Sequence, residues 1–451
     1  IPCGECWRWS QGAGVSQLRE GLLIHGHLEI EDPGPGAELT IVTPYVLVTG
    51  HLRIAPTQGP SLLGKVTFHL QKGVPAGDDV TPYPVNLTYV REGCGESCAI
   101  PLGHSAFVVV GGGLFLQGFP GGSPSWSRLS STAKKHSKII EVDGDLSSWP
   151  KDGEIIVTST EFGVAQEDQT ERFKIIDVLY DSISNVTKVT LNQELSFDHW
   201  GETMNIPGFG PAPEVRAEVA LLSRQIVIEG PYDYQLDNAS LRTHGGHFGI
   251  FFTKTPQHVE GVEFRRMGQQ GTFGRYPFHI HLSRDHSNSQ VLKNSVVDSK
   301  QRCYVIHGTQ NLVVAENVAY NVIGHCYMLE DGYEIHTQLL RNLVAVVKPP
   351  YDQPGLDPHE KGFNKGLEDD YTASGFWLAH AETEFVGNVA VGVCTCANCD
   401  RRLHKCDMCD DDVWIPPGTS SSIWQCSGVW FKMEEKVRRE SKYLPDADKI
   451  S

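Results

Sequence analysis

No stretch of this 451-residue chain approaches the ~18 consecutive apolar residues that a membrane-spanning helix requires. Apolar patterns with a helical period are also scarce, which argues against a helical bundle. Positive charge is in deficit: 38 Lys and Arg stand against 55 Asp and Glu, a formal net charge of −17. Such a surface argues against nucleic acid and anionic membranes as partners. It fits a soluble secreted protein or a binder of divalent cations. It disfavours a polyanionic substrate except at a locally basic groove. An initiating Met and an apolar leader are missing too; the chain opens at Ile1, which points to a processed form or a piece cut from a longer precursor.

What is present is β-forming. Glycine (46) and proline (26) are plentiful, and 40% of residues are hydrophobic, ample for a large core. Short β-branched runs such as Tyr45-Val-Leu-Val-Thr, Phe107-Val-Val-Val, Glu154-Ile-Ile-Val and Gln225-Ile-Val-Ile are broken by Gly, Pro, Asn and Asp. The fold class is therefore all-β. Val215-Arg-Ala-Glu-Val-Ala-Leu-Leu-Ser-Arg-Gln-Ile-Val-Ile228, the longest apolar-rich stretch, reads as a helical turn leading into a strand. Twelve cysteines and the sequons at Asn86, Asn185 and Asn238 favour an oxidising, extracellular setting with N-glycans at those asparagines. Cys3-Gly-Glu-Cys6 and Cys94-Gly-Glu-Ser-Cys98 then read as disulfide cysteines. His25 and His27 read as polar residues on one face of a half-exposed strand.

A repeat organises the second half. Asn294-Ser-Val-Val is followed nine residues later by Cys303-Tyr-Val-Ile-His307, and Asn317-Val-Ala-Tyr nine residues later by Cys326-Tyr-Met-Leu-Glu330, each pair offset by 23 residues. A repeat of this size built from short β runs predicts a stacked solenoid. Asn294, Asn317, Asn342 and Asn388 mark its beats, with gaps of 23, 25 and 46, so the last gap suggests one degenerate coil. Asparagine at such a turn tolerates left-handed backbone and can bond to its copies above and below. The chain divides accordingly: 1–137 an N-terminal β-rich domain, 138–230 a β-rich connecting region, and 231–433 the parallel solenoid. A cysteine-rich insert at 394–426 interrupts the solenoid, and 434–451 is a charged tail. The six cysteines of the insert suit three disulfides or, in their Cys-x-x-Cys pairs, a zinc ion.

Superposed coils place His281, His307 and Glu330 in one column, about 4.8 Å per step. In Tyr276-Pro-Phe-His-Ile-His-Leu282, strand alternation puts His279 and His281 on the outer wall and Phe278, Ile280 and Leu282 toward the core. His247, His325 and Asp331 lie nearby in sequence. Imidazole with carboxylate is the donor set of zinc and similar transition metals, whereas calcium wants mostly oxygens. The metal-ligand candidates are thus His247, His279, His281, His307, His325 and Glu330. The catalytic candidates are Glu330, Asp331, His307 and Arg275, either around an activated water or as general acid and base at a glycosidic bond. Glu330 and Asp331, adjacent on a regular strand, are expected to face opposite sides. The competing reading is a stacked polar ladder of mutually bonded side chains. Cys303 and Cys326 share one repeat position, either as a disulfide or as stacked thiols. Arg265, Arg266, Arg275, Arg284 and Arg302 form the one candidate basic patch for a carboxylate-bearing polymer.

Several segments carry a family resemblance: Val215 to Arg224, Met267-Gly-Gln-Gln, Gly274-Arg-Tyr-Pro-Phe-His-Ile-His-Leu, Val305-Ile-His-Gly and Gly324-His-Cys-Tyr-Met-Leu-Glu-Asp-Gly332. This block resembles the cell-migration-inducing and transmembrane hyaluronidases and is similar to part of the fibrocystin-like proteins. Leu23 to about Gly73 looks like the eight-glycine domain of that family. The resemblance implies a right-handed parallel β-helix of pectin-lyase type behind an eight-glycine domain. It also implies extracellular binding or endo-hydrolysis of hyaluronan, with calcium as the suggested ion. Two departures stand out. The family's lectin-like insert is replaced by a direct passage from about Thr132 to Ile139, and the chain stops soon after Phe431. These leave a second class open, a non-catalytic matrix or surface-appendage module whose histidine column is a stabilising metal clip.

Overall fold

The computed structural model describes residues 1–71, 88–90, 99–231, 245–348 and 373–393, apart from 11, 57–58, 102, 104, 120, 162–168, 204, 207–209, 212–213 and 271, together with the strands at 399–400, 405–406 and 429–431. Three parallel sheets of nine strands each wrap into a right-handed β-helix. The wall that carries the histidines runs through Leu22–Ile24, Tyr45–Val48, Ala106–Val110, His247–Phe251, Phe278–Asp285, Tyr304–Gln310, Tyr327–Leu329, Phe376–Leu378 and Val429–Phe431.

Coiling begins at Cys6–Trp9, far ahead of residue 231. Ala106–Val110 pairs directly with His247–Phe251, and Lys65–Leu70 with Ile226–Glu229. The boundaries drawn at 137 and 230 therefore do not divide the solenoid; the first strands are its first coils. Their short apolar runs carry no readable 23-residue period because the connections between them vary in length. Between Gly113–Gln117 and Ile226–Glu229 the chain leaves the helix and builds a six-stranded antiparallel sheet from Trp126–Arg128, Ile139–Asp143, Glu154–Val157, Glu171–Asp181, Val186–Leu191 and Glu218–Leu221. Val215 to Ile228 is thus two strands in two different sheets, not a helical turn. The antiparallel sheet packs on a neighbouring wall: Trp126, Ile156, Ala220 and Leu222 bury against Val297, Val318, Leu343 and Ala345. Trp126 donates its indole N–H to Arg341 O at 2.7 Å. The histidine wall is left uncovered by this sheet.

Interior packing is columnar. Phe107, Phe248, Phe278, Tyr304, Tyr327 and Phe376 stack on successive coils with ring centroids 4.8 to 5.7 Å apart. All six are essentially inaccessible to solvent. Just before this column, Cys303 and Cys326 form a disulfide between adjacent coils. Cys3 and Cys6 are free and exposed, so the bond expected there is not made. Cys94, Cys98 and the cysteines of the 394–426 insert, like the 434–451 tail, lie outside the residues whose side chains are described. His25 sits in the turn between Leu22–Ile24 and His27–Ile30, so it does not share a strand face with His27.

The asparagine ladder is continuous. Asn317 Oδ1 accepts from the backbone N–H and Nδ2 of Asn294 at 2.9 and 3.0 Å; Asn342 Oδ1 does the same for Asn317, and Asn388 Oδ1 for Asn342. Two details differ from the sequence reading. The left-handed residue is the one before each asparagine, Lys293, Glu316, Arg341 and Gly387, with φ between 52° and 66°. And Asn342 and Asn388 are direct neighbours, so the gap of 46 spans a single coil and no degenerate coil lies between them.

Candidate metal and acid–base site

Parallel register builds the site. His281 pairs with His307, and Ile306 with Leu329; Glu330, next in line, donates its N–H to Ile306 O at 3.1 Å. The column His281, His307, Glu330 therefore exists as the spacing implied. His279 joins it from the same strand face. Ligand nitrogens of His279, His281 and His307 all lie within 4.8 Å of one another.

The hydrogen bonds fix which nitrogens point inward. His279 Nδ1 lies 3.1 Å from Gly274 O, which can only accept, so Nδ1 carries the proton and Nε2 keeps its lone pair. That Nε2 is buried and has no hydrogen-bond partner. His307 Nε2 lies 3.1 Å from Asp331 Oδ2 and donates to it, which turns the His307 Nδ1 lone pair toward His281 Nδ1, 2.9 Å away, and Glu330 Oε2, 3.4 Å away. A carboxylate or carbonyl behind an imidazole is the usual outer support of a metal-ligating histidine. The other Glu330 oxygen meets the buried Arg302 guanidinium at 3.4 Å.

Glu330 and Asp331 do not face opposite sides. The strand ends at Leu329, and the turn after it is pinned by Glu334, a buried carboxyl absent from the sequence reading. It accepts N–H groups from Gly308 at 2.7 Å, Gly332 at 2.8 Å and Asp331 at 3.3 Å. Both acidic residues thus end on His307. The signal for Glu334 was the run Asp331-Gly-Tyr-Glu334, an acid placed to receive the amides of a glycine turn.

Burial, and then the neighbouring His307, pull the His281 pKa down to about 4; burial, and then His281, hold His279 well below the usual imidazole range. Burial pushes Asp331 up, but its bonds to Glu334 and the Tyr333 amide, with His307 beside it, leave it below the usual carboxylate range. Burial and the adjacent Asp331 raise Glu334 to about 8, so near neutral pH it is mostly a neutral acid. The two depressed histidines set a pH dependence for the metal-free chain. Above about pH 6.5 both folded and unfolded forms are neutral and their contribution is fully present. As pH falls from about 6.5 toward 4, the unfolded chain takes up protons that the fold refuses, and stability drops. For His281, discounted for partial exposure, the loss is on the order of 1–2 kcal/mol. Urea melts of the chelated protein at pH 7 and 4.5 should show that loss, and His281→Gln should shrink it.

The remaining sequence candidates separate from this cluster. His247 is buried at the head of its strand, near enough for its charge to lower His279 further, but it is not part of the three-nitrogen group. His325 is fully buried, accepts from the Ser374 N–H at 3.1 Å through Nδ1, and packs on Trp377 with centroids 4.4 Å apart. Arg275 donates to Gln269 Oε1 at 2.7 Å, and burial lowers its pKa. Among the described residues, no bond joins it to the histidines. The expected arginine patch is likewise divided. Arg265 pairs with Glu154 and Glu263, Arg266 with Glu229, and Arg302 with Glu330, leaving Arg275 and Arg284 without a carboxylate among the described residues.

A family profile described as the CEMIP beta-helix matches residues 243–397, the segment that holds the whole cluster. Protein rliB of Dictyostelium discoideum is 32% identical over 274 residues, 59% of this chain and 22% of that protein. The cell surface hyaluronidase of Danio rerio is 30% identical over 56% of this chain and 19% of its own length. The human cell surface hyaluronidase CEMIP2 is 30% identical over 55% and 19%. The chain thus spans about a fifth of the length of these relatives. It is distantly related to the CEMIP, G8-domain and hyaluronidase-like proteins, through a β-helix and over part of its length.

Proposed function

We propose that this chain acts on an extracellular polysaccharide, as a hyaluronan-type endo-glycosidase, through a metal or acid–base site formed by His279, His281, His307, Glu330 and Asp331. The observation that carries the reading is the buried, bond-free Nε2 of His279 on a residue that brings a ligand nitrogen within 4.8 Å of those of His281 and His307. An orphaned buried acceptor costs about 1–3 kcal/mol, and an ion would remove that cost. Three nitrogens suit zinc or a similar transition metal; calcium, which the family suggests, takes six to eight oxygens and does not fit this donor set.

A zinc ion here would supply Lewis acidity and lower the pKa of a water. The chain's own groups do the rest. Asp331 fixes the His307 tautomer, and Glu334 holds the Asp331 turn. Glu330, between Arg302 and His307, is placed to hold or move a proton at Oε2, as ligand or general acid. Arg275 would have to leave Gln269 before it could reach a substrate carboxylate. An extracellular setting agrees with the disulfide, and among the described residues no helix is long and apolar enough to cross a membrane. Asn185 is exposed at a hairpin turn, open to a glycan; Asn86 and Asn238 lie outside the described residues.

Incubation with high-molecular-weight hyaluronan, with and without a chelator, tests the reading by size-exclusion chromatography. The polymer is expected to shorten only without chelator; unchanged length under both conditions contradicts the proposal. The deep burial of His279, 2% exposed, favours one alternative, a structural ion in an adhesion module. That alternative calls for metal that raises Tm with no turnover.

A further inference from the structure

Beside His281 the regular alternation of the histidine wall breaks. From His281 to Arg284 the strand advances three residues while its neighbour advances two, from His307 to Thr309. The extra residue is a bulge, and Leu282 and Arg284 both take left-handed backbone, with φ of 48° and 62°. Gly308 makes room: a side chain there would strike Leu282. The bulge reverses the expected facing. Leu282 is 43% exposed instead of in the core, Ser283 turns inward, and Arg284 points out. Non-glycine residues in left-handed backbone cost energy and cluster where a surface has a task.

The surface made this way is a trough. A cleft of about 470 Å³ is lined by Phe252, Lys254, Leu282 and Arg284. It adjoins a second of about 420 Å³ that shares Lys254 and Arg284. Both volumes lie in the range of small-ligand sites. Phe252 connects the trough to the cluster, its ring edge-on to His281 with centroids 5.7 Å apart and its N–H donating to His281 O. The side chains of Lys254 and Arg284 are exposed and, among the described residues, make neither a hydrogen bond nor an ion pair. That is unusual on a chain of net charge −17, where most other arginines of this region are matched. The acid in the second cleft, Asp285, is already taken by the Ser287 N–H and Asn311 Nδ2.

We propose that this trough is a subsite for an anionic sugar residue, with Phe252 and Leu282 against the C–H face of the ring and Lys254 and Arg284 on its carboxylate or sulfate. The inference rests on the polysaccharide reading above and extends it to residues outside the histidine cluster. Two unpaired cations over an apolar floor are complementary to a ring with one charged substituent, and an arginine binds such a group bidentately.

Calorimetric binding of hyaluronan, chondroitin sulfate and neutral chitin hexasaccharides to the whole chain tests it. At about 0.05 M salt the anionic ligands should bind at least ~10-fold more tightly than chitohexaose, and the difference should shrink at about 0.5 M. The ratio between the two anionic ligands tells carboxylate from sulfate. The double variant Lys254→Ala, Arg284→Asn should lose roughly tenfold in anionic affinity while chitohexaose affinity, zinc content and Tm stay unchanged; asparagine tolerates the left-handed backbone at 284. Unchanged anionic affinity in the double variant, or equal affinity for the neutral ligand, overturns the inference. Affinity is the readout. A chain that binds through these cations yet cleaves nothing upholds the subsite and defeats the catalytic reading, and a chain that cleaves but ignores the substitutions does the reverse.

Discussion

If the proposed site operates, His307→Ala is expected to abolish both metal binding and hyaluronan cleavage. His307 is the centre of the cluster: one nitrogen faces His281 at 2.9 Å and Glu330 at 3.4 Å, and the other is held by Asp331 at 3.1 Å. Removing it takes away one of three nitrogen ligands, the N–H that Asp331 accepts and the imidazole beside Glu330. Loss of a supporting partner alone costs about 10–100-fold in metal affinity, so Asp331→Asn should fall in that range and His307→Ala beyond it. If the same groups move protons, hyaluronan cleavage should drop by roughly 10² to 10⁴ in His307→Ala. Elemental analysis and a reducing-end assay on the same preparations check this. A variant that keeps full metal content and activity would mean that the histidines form only a polar ladder.

The largest stability effect is expected at the asparagine ladder. Asn317 is fully buried; its Oδ1 serves two donors of Asn294, and its Nδ2 serves Val291 O and Asn342 Oδ1. In Asn317→Leu the Asn294 N–H and the Val291 carbonyl lose their partners in the interior, and an unsatisfied buried group costs about 1–3 kcal/mol. The sum, with the poorer fit of leucine, comes to roughly 3–5 kcal/mol, near the upper end for single substitutions. Urea unfolding should show it as a lower midpoint. Lys293→Gly, at the left-handed position just before the ladder, should instead change stability by less than about 1 kcal/mol, because glycine adopts that backbone freely while the Lys293 bond to Ser123 O and its contact with the Phe119 ring are lost. A loss under about 1 kcal/mol in Asn317→Leu would mean that water replaces the ladder.

Much of this arrangement was legible in the chain. The 23-residue offset placed Cys303 over Cys326 and His281 in the column of His307 and Glu330, because parallel coils repeat side-chain positions with the same period as the sequence. What escaped was whatever breaks that period. The early coils have unequal connections, so the solenoid was read as starting at 231 when it starts at Cys6. The Asn342 to Asn388 gap is one coil of twice the usual length. A one-residue bulge after His281 turned Leu282 outward against simple alternation. The turn after Leu329 brought Glu330 and Asp331 to one imidazole, which needed the buried Glu334 to be seen. Pairing, too, is a matter of three dimensions: the arginines that looked like one basic patch are mostly spent on carboxylates distant in sequence. Two of these departures, the bulge after His281 and the turn after Leu329, lie beside the histidines, as expected where a fold trades regularity for a site.

The most direct test of the histidine cluster is titration of the metal-free chain with cobalt(II), followed by its visible absorption and competed with zinc. A nitrogen-rich site of low coordination number gives intense visible bands. One equivalent bound per chain, displaced by zinc and abolished in both His279→Phe and His307→Ala, is the result that three converging imidazoles require. No saturable signal, or a signal that survives both substitutions, would show that these nitrogens do not share an ion.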